Sequence, residues 1–222
     1  MQKFTQYRLE PDKGYLIVIE GMDGSGKSTI AKALVDNLNL IGYNSIYVRN
    51  PGSTELSEKI RDIVLTSNDL SDNERAVLFT VAMSNTLREK VIPALKSNKI
   101  VVMDRYYHSL YIYQNFYKET DRQFLFHALY KLLIDLCKHD YFILVEASPE
   151  VCKSRVDERD NKDIFDSKDI EYFKNIYNIY YQDTYGIYTL LNKFVPSNNK
   201  LIINTETDLY LSILRILNFL KK

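Results

Sequence analysis

The stretch GMDGSGKS, Gly21 to Ser28, decides the fold. It has the form Gly-x-x-x-x-Gly-Lys-Ser, and three of the chain's seven glycines fall inside it. Glycines let successive backbone N–H groups curl towards one anion. Lys27 adds a point charge for outer phosphates, and the Ser28 hydroxyl is suited to ligating Mg²⁺. The flanking sequence fits. YLIVIE (15–20) is a short apolar run bounded by glycines and reads as a buried strand. After the loop, Ile30, Leu34, Leu38 and Ile41 recur at helical spacing, and Gly42 is a stop. Gly21, Met22, Asp23, Gly24, Ser25, Gly26, Lys27, Ser28 and Thr29 are therefore expected to cradle the phosphates of a nucleoside triphosphate. Asp23 stands out, because a carboxylate in the middle of such a loop would repel a phosphate.

Working outward, NSIYVR (44–49), KIVVMDR (99–105), YFILVE (141–146) and KLIINT (200–205) read as four further strands. Helices are expected after PGST (51–54), from the Ser71/Glu74 capping box towards Pro93, over 109–117 and 121–138, over much of 150–191, and over 207–221. The strands are nearly all apolar and alternate with helices, which is the pattern of a parallel sheet covered on both faces. The expected architecture is α/β: a P-loop NTPase-type three-layer α/β/α domain with a five-stranded parallel sheet, one domain over residues 1–222.

Composition excludes several classes. Hydrophobic residues make up 45% of the 222, so a core can form. Lys+Arg and Asp+Glu both number 29, and this balance argues against a dedicated nucleic-acid binder. No apolar run reaches the roughly 20 residues of a membrane span, and the N-terminal MQKFTQYRLEPDKG has no apolar signal core. A soluble, cytoplasmic protein is expected. Cys137 and Cys152 are read as buried reduced thiols, and His108, His127 and His139 show no metal-type spacing.

Strand ends carry the remaining chemistry. Asp104 closes VVMD, where a carboxylate steadies Mg²⁺ and its waters beside the loop. Arg105 follows it, and Arg49 closes the second strand. Two arginines at two strand ends suit a second phosphate group. A nucleotide kinase needs such a site and a hydrolytic switch does not.

At this point the chain resembles the thymidylate kinase family. IEGMDGSGKST, VRNPGSTELSEKIRDIV, LF followed by VIPAL, VVMDRYYHSLYIYQN and SPEVCKSRVDERD match its motifs in order over about residues 15–181. The resemblance implies ATP-dependent phosphorylation of a deoxynucleoside monophosphate, dTMP before others, with Mg²⁺, in a homodimer. It implies that Asp23 faces the acceptor's sugar hydroxyl and the arginine holding the acceptor phosphate, which answers the puzzle of the loop carboxylate. It places Arg49 and Arg105 on that phosphate, Phe79 on the base, Tyr113 under the sugar where a 2′-hydroxyl would clash, and Gln114 nearby. It also implies a helical lid over about residues 153–168.

Three features depart from the family pattern. Asn50 replaces an acidic residue in the Arg49–Thr54 turn. Met83 stands four residues after Phe79, where the family has an arginine that reads the thymine edge, and Leu110 adds another apolar group. Methionine cannot donate to a carbonyl, so a broader base preference is one expectation, with Ser84, Asn85 or Arg88 as substitute donors. In the lid, Ile164 stands where an arginine is expected. Arg159, then Arg155, is the expected source of charge on the transferring phosphoryl group, with Lys162 in the same run. The rival reading is a P-loop protein that binds nucleotide without transferring phosphate.

Overall fold

The computed structural model describes residues 9, 10, 12–116, 118, 120–160, 163–182 and 197–221. Its centre is β1 (Tyr15–Glu20), buried along its whole length. Around it, β2 (Ser45–Arg49), β3 (Ile100–Asp104), β4 (Tyr141–Glu146) and β5 (Lys200–Asn204) complete a five-stranded sheet in the order β2-β3-β1-β4-β5. Every pairing is parallel, as the continuous apolar strands require.

Alternation along β1 divides the core. Leu16 and Val18 face one layer, with Met103, Leu144 and Ile179. Ile17 and Ile19 face the other, against Ile30, Leu34, Ile213 and Ile216. Helices α1 (Lys27–Leu40) and α9 (Leu209–Phe219) supply that second layer. The first is built from α2 (Glu55–Thr66), α3 (Asp72–Thr86), α4 (Ile92–Lys96), α5 (Tyr107–Tyr113), α6 (Thr120–Leu136), α7 (Pro149–Asp157) and α8 (Ile170–Tyr181).

Register aligns the chemistry. Ile19 and Arg49 both pair with Asp104, so the ends of β1, β2 and β3 meet at one carboxyl-terminal edge, where open α/β sheets bind ligands.

Several helix ends differ from expectation. The Ser71/Glu74 capping box forms, but helix does not stop at Pro93. A π-helical turn over Leu87–Val91 leads into α4, and Pro93 sits in its first turn, where its missing N–H costs no bond. α5 starts two residues earlier than its apolar spacing suggests and ends at Tyr113 rather than 117, with Asn115 in the left-handed conformation (φ 56°) closing it. The helical expectation over 183–191 lies outside the described residues.

Candidate active site

The loop after β1 is built by its glycines. Gly24 has φ 79°, and a Cβ there would lie 2.1 Å from the Cys152 carbonyl oxygen. Only glycine fits. α1 begins at Lys27, and Ile30 N–H makes the first bond back, to the Gly26 carbonyl at 3.0 Å. The N–H groups of Lys27, Ser28 and Thr29 thus precede the helical ladder and point out of the helix N-terminus, an anion site by construction. Four earlier N–H groups are taken: Gly21 donates to Glu20 Oε2 at 3.4 Å, Met22 to Tyr181 Oη at 3.3 Å, Asp23 to Tyr113 Oη at 3.1 Å and Ser25 to the Met22 carbonyl at 3.2 Å. Ser25 Oγ is buried without a partner.

Lys27 is buried. Its Nζ donates to the Met22 carbonyl and to Asp23 Oδ1, each at 3.3 Å. Burial first, then Arg105, pushes its pKa down, and Asp23 opposes this. Ser28 Oγ donates to Asp104 Oδ2 at 2.5 Å, and Tyr47 Oη donates to the same oxygen at 3.0 Å. Asp104 Oδ1 is buried and unpartnered. A hydroxyl paired with a carboxylate that keeps one oxygen free fits a divalent cation that retains waters and phosphate ligands.

Asp23 sits half-buried between two cations, Lys27 and Arg105. Its carboxylate meets Arg105 Nη2 at 2.5 Å. Burial would raise its pKa, but Arg105 and then Lys27 outweigh burial and hold the carboxyl well below the usual range. Arg105 itself has φ 71°, a strained setting for a residue with a Cβ. Its N–H is tied to the Ile19 carbonyl at 3.0 Å and its Nη1 to Ser109 Oγ at 2.7 Å. The guanidinium also lies 4.9 Å from the centre of the Tyr113 ring.

Behind this network stands Glu20, fully buried. It accepts from Tyr106 N–H (2.8 Å), Ser109 N–H (3.1 Å), Ser109 Oγ (2.8 Å) and Tyr180 Oη (3.1 Å). Burial raises its pKa, with Arg105 the main opposing influence.

Beside Arg105 opens a cavity. Asp23, Asn50, Arg61 and Arg105 line it together with Leu65, Phe79, Met83, Leu110, Tyr113, Gln114 and Phe165. The expected acceptor residues Asp23, Phe79, Met83, Arg105, Tyr113 and Gln114 therefore converge. Gln114 is buried with neither amide atom paired, and Asn50 likewise. Buried amides without partners are uncommon and mark a place for a polar ligand.

Arg49 does not line this cavity. Its Nη2 is held by both oxygens of Glu58 at 2.8 Å. Glu58 thus supplies a carboxylate to an arginine network in which Asn50 is neutral. Of the substitute base-edge donors, Asn85 is turned instead to Thr54, whose hydroxyl donates to it at 2.6 Å.

A second concavity lies between Gly26, Thr29, Arg155, Thr205, Thr207 and Ser212. Arg155 there donates to the Gly24 and Thr205 carbonyls at 3.2 and 3.1 Å, so its charge is fixed to the loop's donor side. Arg159 pairs with Asp166 at 2.8 Å while keeping 41% of its side chain exposed, and its charge reaches Asp23. Lys162 lies outside the described residues. Sequence reading passed over Arg61, Asp163 and Phe165 in the first cavity and Thr205, Thr207 and Ser212 in the second. Arg61 falls inside VRNPGSTELSEKIRDIV, which carries the resemblance but marked no role for it; the others lie in a turn, strand end or helix start with no such signal.

No helix among the described residues is long and apolar enough to cross a membrane, and Cys137 and Cys152 are free and buried. Residues 19–192 match the family model for thymidylate kinase. A thymidylate kinase of Mycoplasmoides gallisepticum is 31% identical over 198 residues, 89% of either chain. One of Clostridium novyi is 28% identical over 201 residues, covering 89% of this chain and 94% of its own. The crystal structure of thymidylate kinase from Ehrlichia chaffeensis shares the fold, with a TM-score of 0.68 at 22% identity, covering 92% of this chain and 97% of that one. The family match spans most of the chain and the Mycoplasmoides relative covers still more of it, so this protein belongs to the thymidylate kinase family.

Proposed function

We propose that this protein transfers the terminal phosphoryl group of ATP to dTMP, forming dTDP for deoxynucleotide synthesis. The observation that carries this is Asp23. A hydrolase loop has no use for a half-buried carboxylate that ties its lysine to Arg105 at the end of β3, whereas a second, nucleotide-shaped substrate does.

The donor phosphates lie along the loop's free N–H groups and the start of α1, and the donor nucleoside lies in the concavity of Thr205, Thr207 and Ser212. Ser28 and Asp104 would hold Mg²⁺, which when bound neutralises phosphate charge. The acceptor occupies the Phe79–Gln114 cavity, with its phosphate at Arg105 and, once released from Glu58, Arg49. Lys27, Arg105 and Arg159 then oppose the charge that spreads over the transferring group. Positioning and charge carry the reaction, and no covalent intermediate is needed.

The homodimer is supported by apolar side chains left on three packed helices. Val77 and Val81 on α3 are 44% and 46% exposed, Ile63 on α2 is 47% and Phe124 on α6 is 81%. We place the reaction in the cytoplasm, where free thiols fit, as the work of one domain without nucleic-acid or membrane partners.

The test is ADP release with each of the eight common nucleoside monophosphates as acceptor. Release should depend strictly on an acceptor and be fastest with dTMP. Steady release without any acceptor would replace this reading with the hydrolytic or non-transferring alternative.

A further inference from the structure

A fully buried amide stands among the arginines of the acceptor cavity without a partner. Asn50 follows Arg49 at the end of β2. Its backbone N–H donates at 2.9 Å to the carbonyl of Asp104, the residue before Arg105. The next carbonyl along the chain, that of Pro51, takes a bond from Arg61 Nη1 at 3.3 Å. One arginine thus precedes Asn50, a second follows the residue that its backbone is bonded to, and a third is bonded to the residue after it. Burial, and then the like charges of Arg49 and Arg105, work against the protonation of Arg61, as expected of cations gathered in one place. Asn50 lines the cavity with Arg61 and Arg105. Among the described residues neither Oδ1 nor Nδ2 has a hydrogen-bond partner. An amide buried in this way costs stability in the free protein.

We propose that Asn50 binds the phosphate of the acceptor nucleotide, donating from Nδ2 to a phosphate oxygen. This rests on the reading of the cavity as the acceptor site. Gathered cations mark the place of an anion, and the amide stands in that place. Its Nδ2 needs an acceptor. The two carboxylates that line the cavity are engaged: Asp23 by Lys27 and Arg105, Asp163 by the N–H groups of Phe165 and Asp166. A phosphate brings the oxygen that the chain does not supply. The amide adds a directed donor without a further positive charge, so it holds a monophosphate without tightening the site on the more highly charged diphosphate product.

The test compares the wild type with Asn50→Leu, which keeps the volume and removes the amide, and Asn50→Asp, which keeps the shape and turns the donor into a carboxylate. Calorimetry measures the binding of dTMP and of thymidine, which has no phosphate, and the unliganded proteins are melted. Asn50→Leu should weaken dTMP by about 10–100-fold, the worth of a hydrogen bond to a charged group, and leave thymidine unchanged. It should melt no lower than the wild type, because an apolar side chain replaces an unpaired buried amide. Asn50→Asp should weaken dTMP further by repelling the phosphate, again sparing thymidine. Its shape is native and its charge meets cations, so it decides the matter even if Asn50→Leu does not fold. Unchanged dTMP affinity in the folded variants would overturn the proposal. Equal losses for dTMP and thymidine would overturn it too, by placing the amide on the nucleoside. A wild type that phosphorylates no nucleoside monophosphate would overturn the functional reading, and this proposal with it, before any variant is made.

Discussion

At the residue scale the site depends on side chains placed where their charge is costly. Lys27 is buried against its own ionisation, and its charge gains value as the phosphoryl group reaches the transition state. Lys27→Ala should therefore cut kcat roughly 10²-fold or more while moving the acceptor's KM little, as read from steady-state kinetics. Tyr113 is held from two sides, by Asp23 N–H on its hydroxyl and Arg105 over its ring. It is therefore a rigid wall beneath the acceptor. Tyr113→Ala should narrow the preference for deoxy over ribo acceptors by about 1–2 kcal/mol, measured as a ratio of kcat/KM values. The loop and Arg105 were legible from sequence because spacing and a strand end mark them, and the resemblance to the family put Asp23 against the arginine. Arg61 was not: in IRDIVL it is one more charged residue on an amphipathic helix, and only the packing of α2 on α3 turns it into a cavity.

At the scale of elements, the strand order was legible in outline, since each buried strand is a continuous apolar run. Helix ends were less so, because their caps come from distant residues. α5 is the example. It has no side-chain cap of its own, and Glu20, from β1, accepts the N–H groups of Tyr106 and Ser109 instead. No local pattern in 105–113 announces this. Through Ser109 Oγ the same carboxylate also sets Arg105. Glu20→Gln keeps the volume but brings N–H donors into a site built from donors, so it should cost about 2 kcal/mol in a denaturant melt. It should also lower kcat through the displaced Arg105. Full activity in a destabilised variant would show that Glu20 serves the fold alone.

At the scale of the molecule, burial sets a pH limit. His139 packs among Tyr106, Tyr107, His108 and Phe142, with neither ring nitrogen partnered. Burial lowers its pKa to about 4, against about 6.5 in an unfolded chain. Between those values the unfolded chain binds the extra proton, so stability is lost as pH falls from about 6.5 towards 4. His108, lowered by burial and then by His139, acts in the same direction. The expected loss from His139 is on the order of 3 kcal/mol. Melts at pH 7.5 and 4.5 should show His139→Phe losing less over this interval than the wild type.

The Glu58 carboxylate seated on Arg49 gives the enzyme a resident understudy for its substrate. With the acceptor placed as proposed, an incoming phosphate would not meet a bare guanidinium; it would displace an anion that never leaves the chain and that would return when the product departs. Acceptor affinity is then the difference between two attachments, and part of the attraction that would trap a diphosphate product is cancelled beforehand. Glu58→Gln should lower the acceptor's KM and, where release limits turnover, lower kcat with it. Pre-steady-state product release would show the trade directly, as a slower exit in the variant.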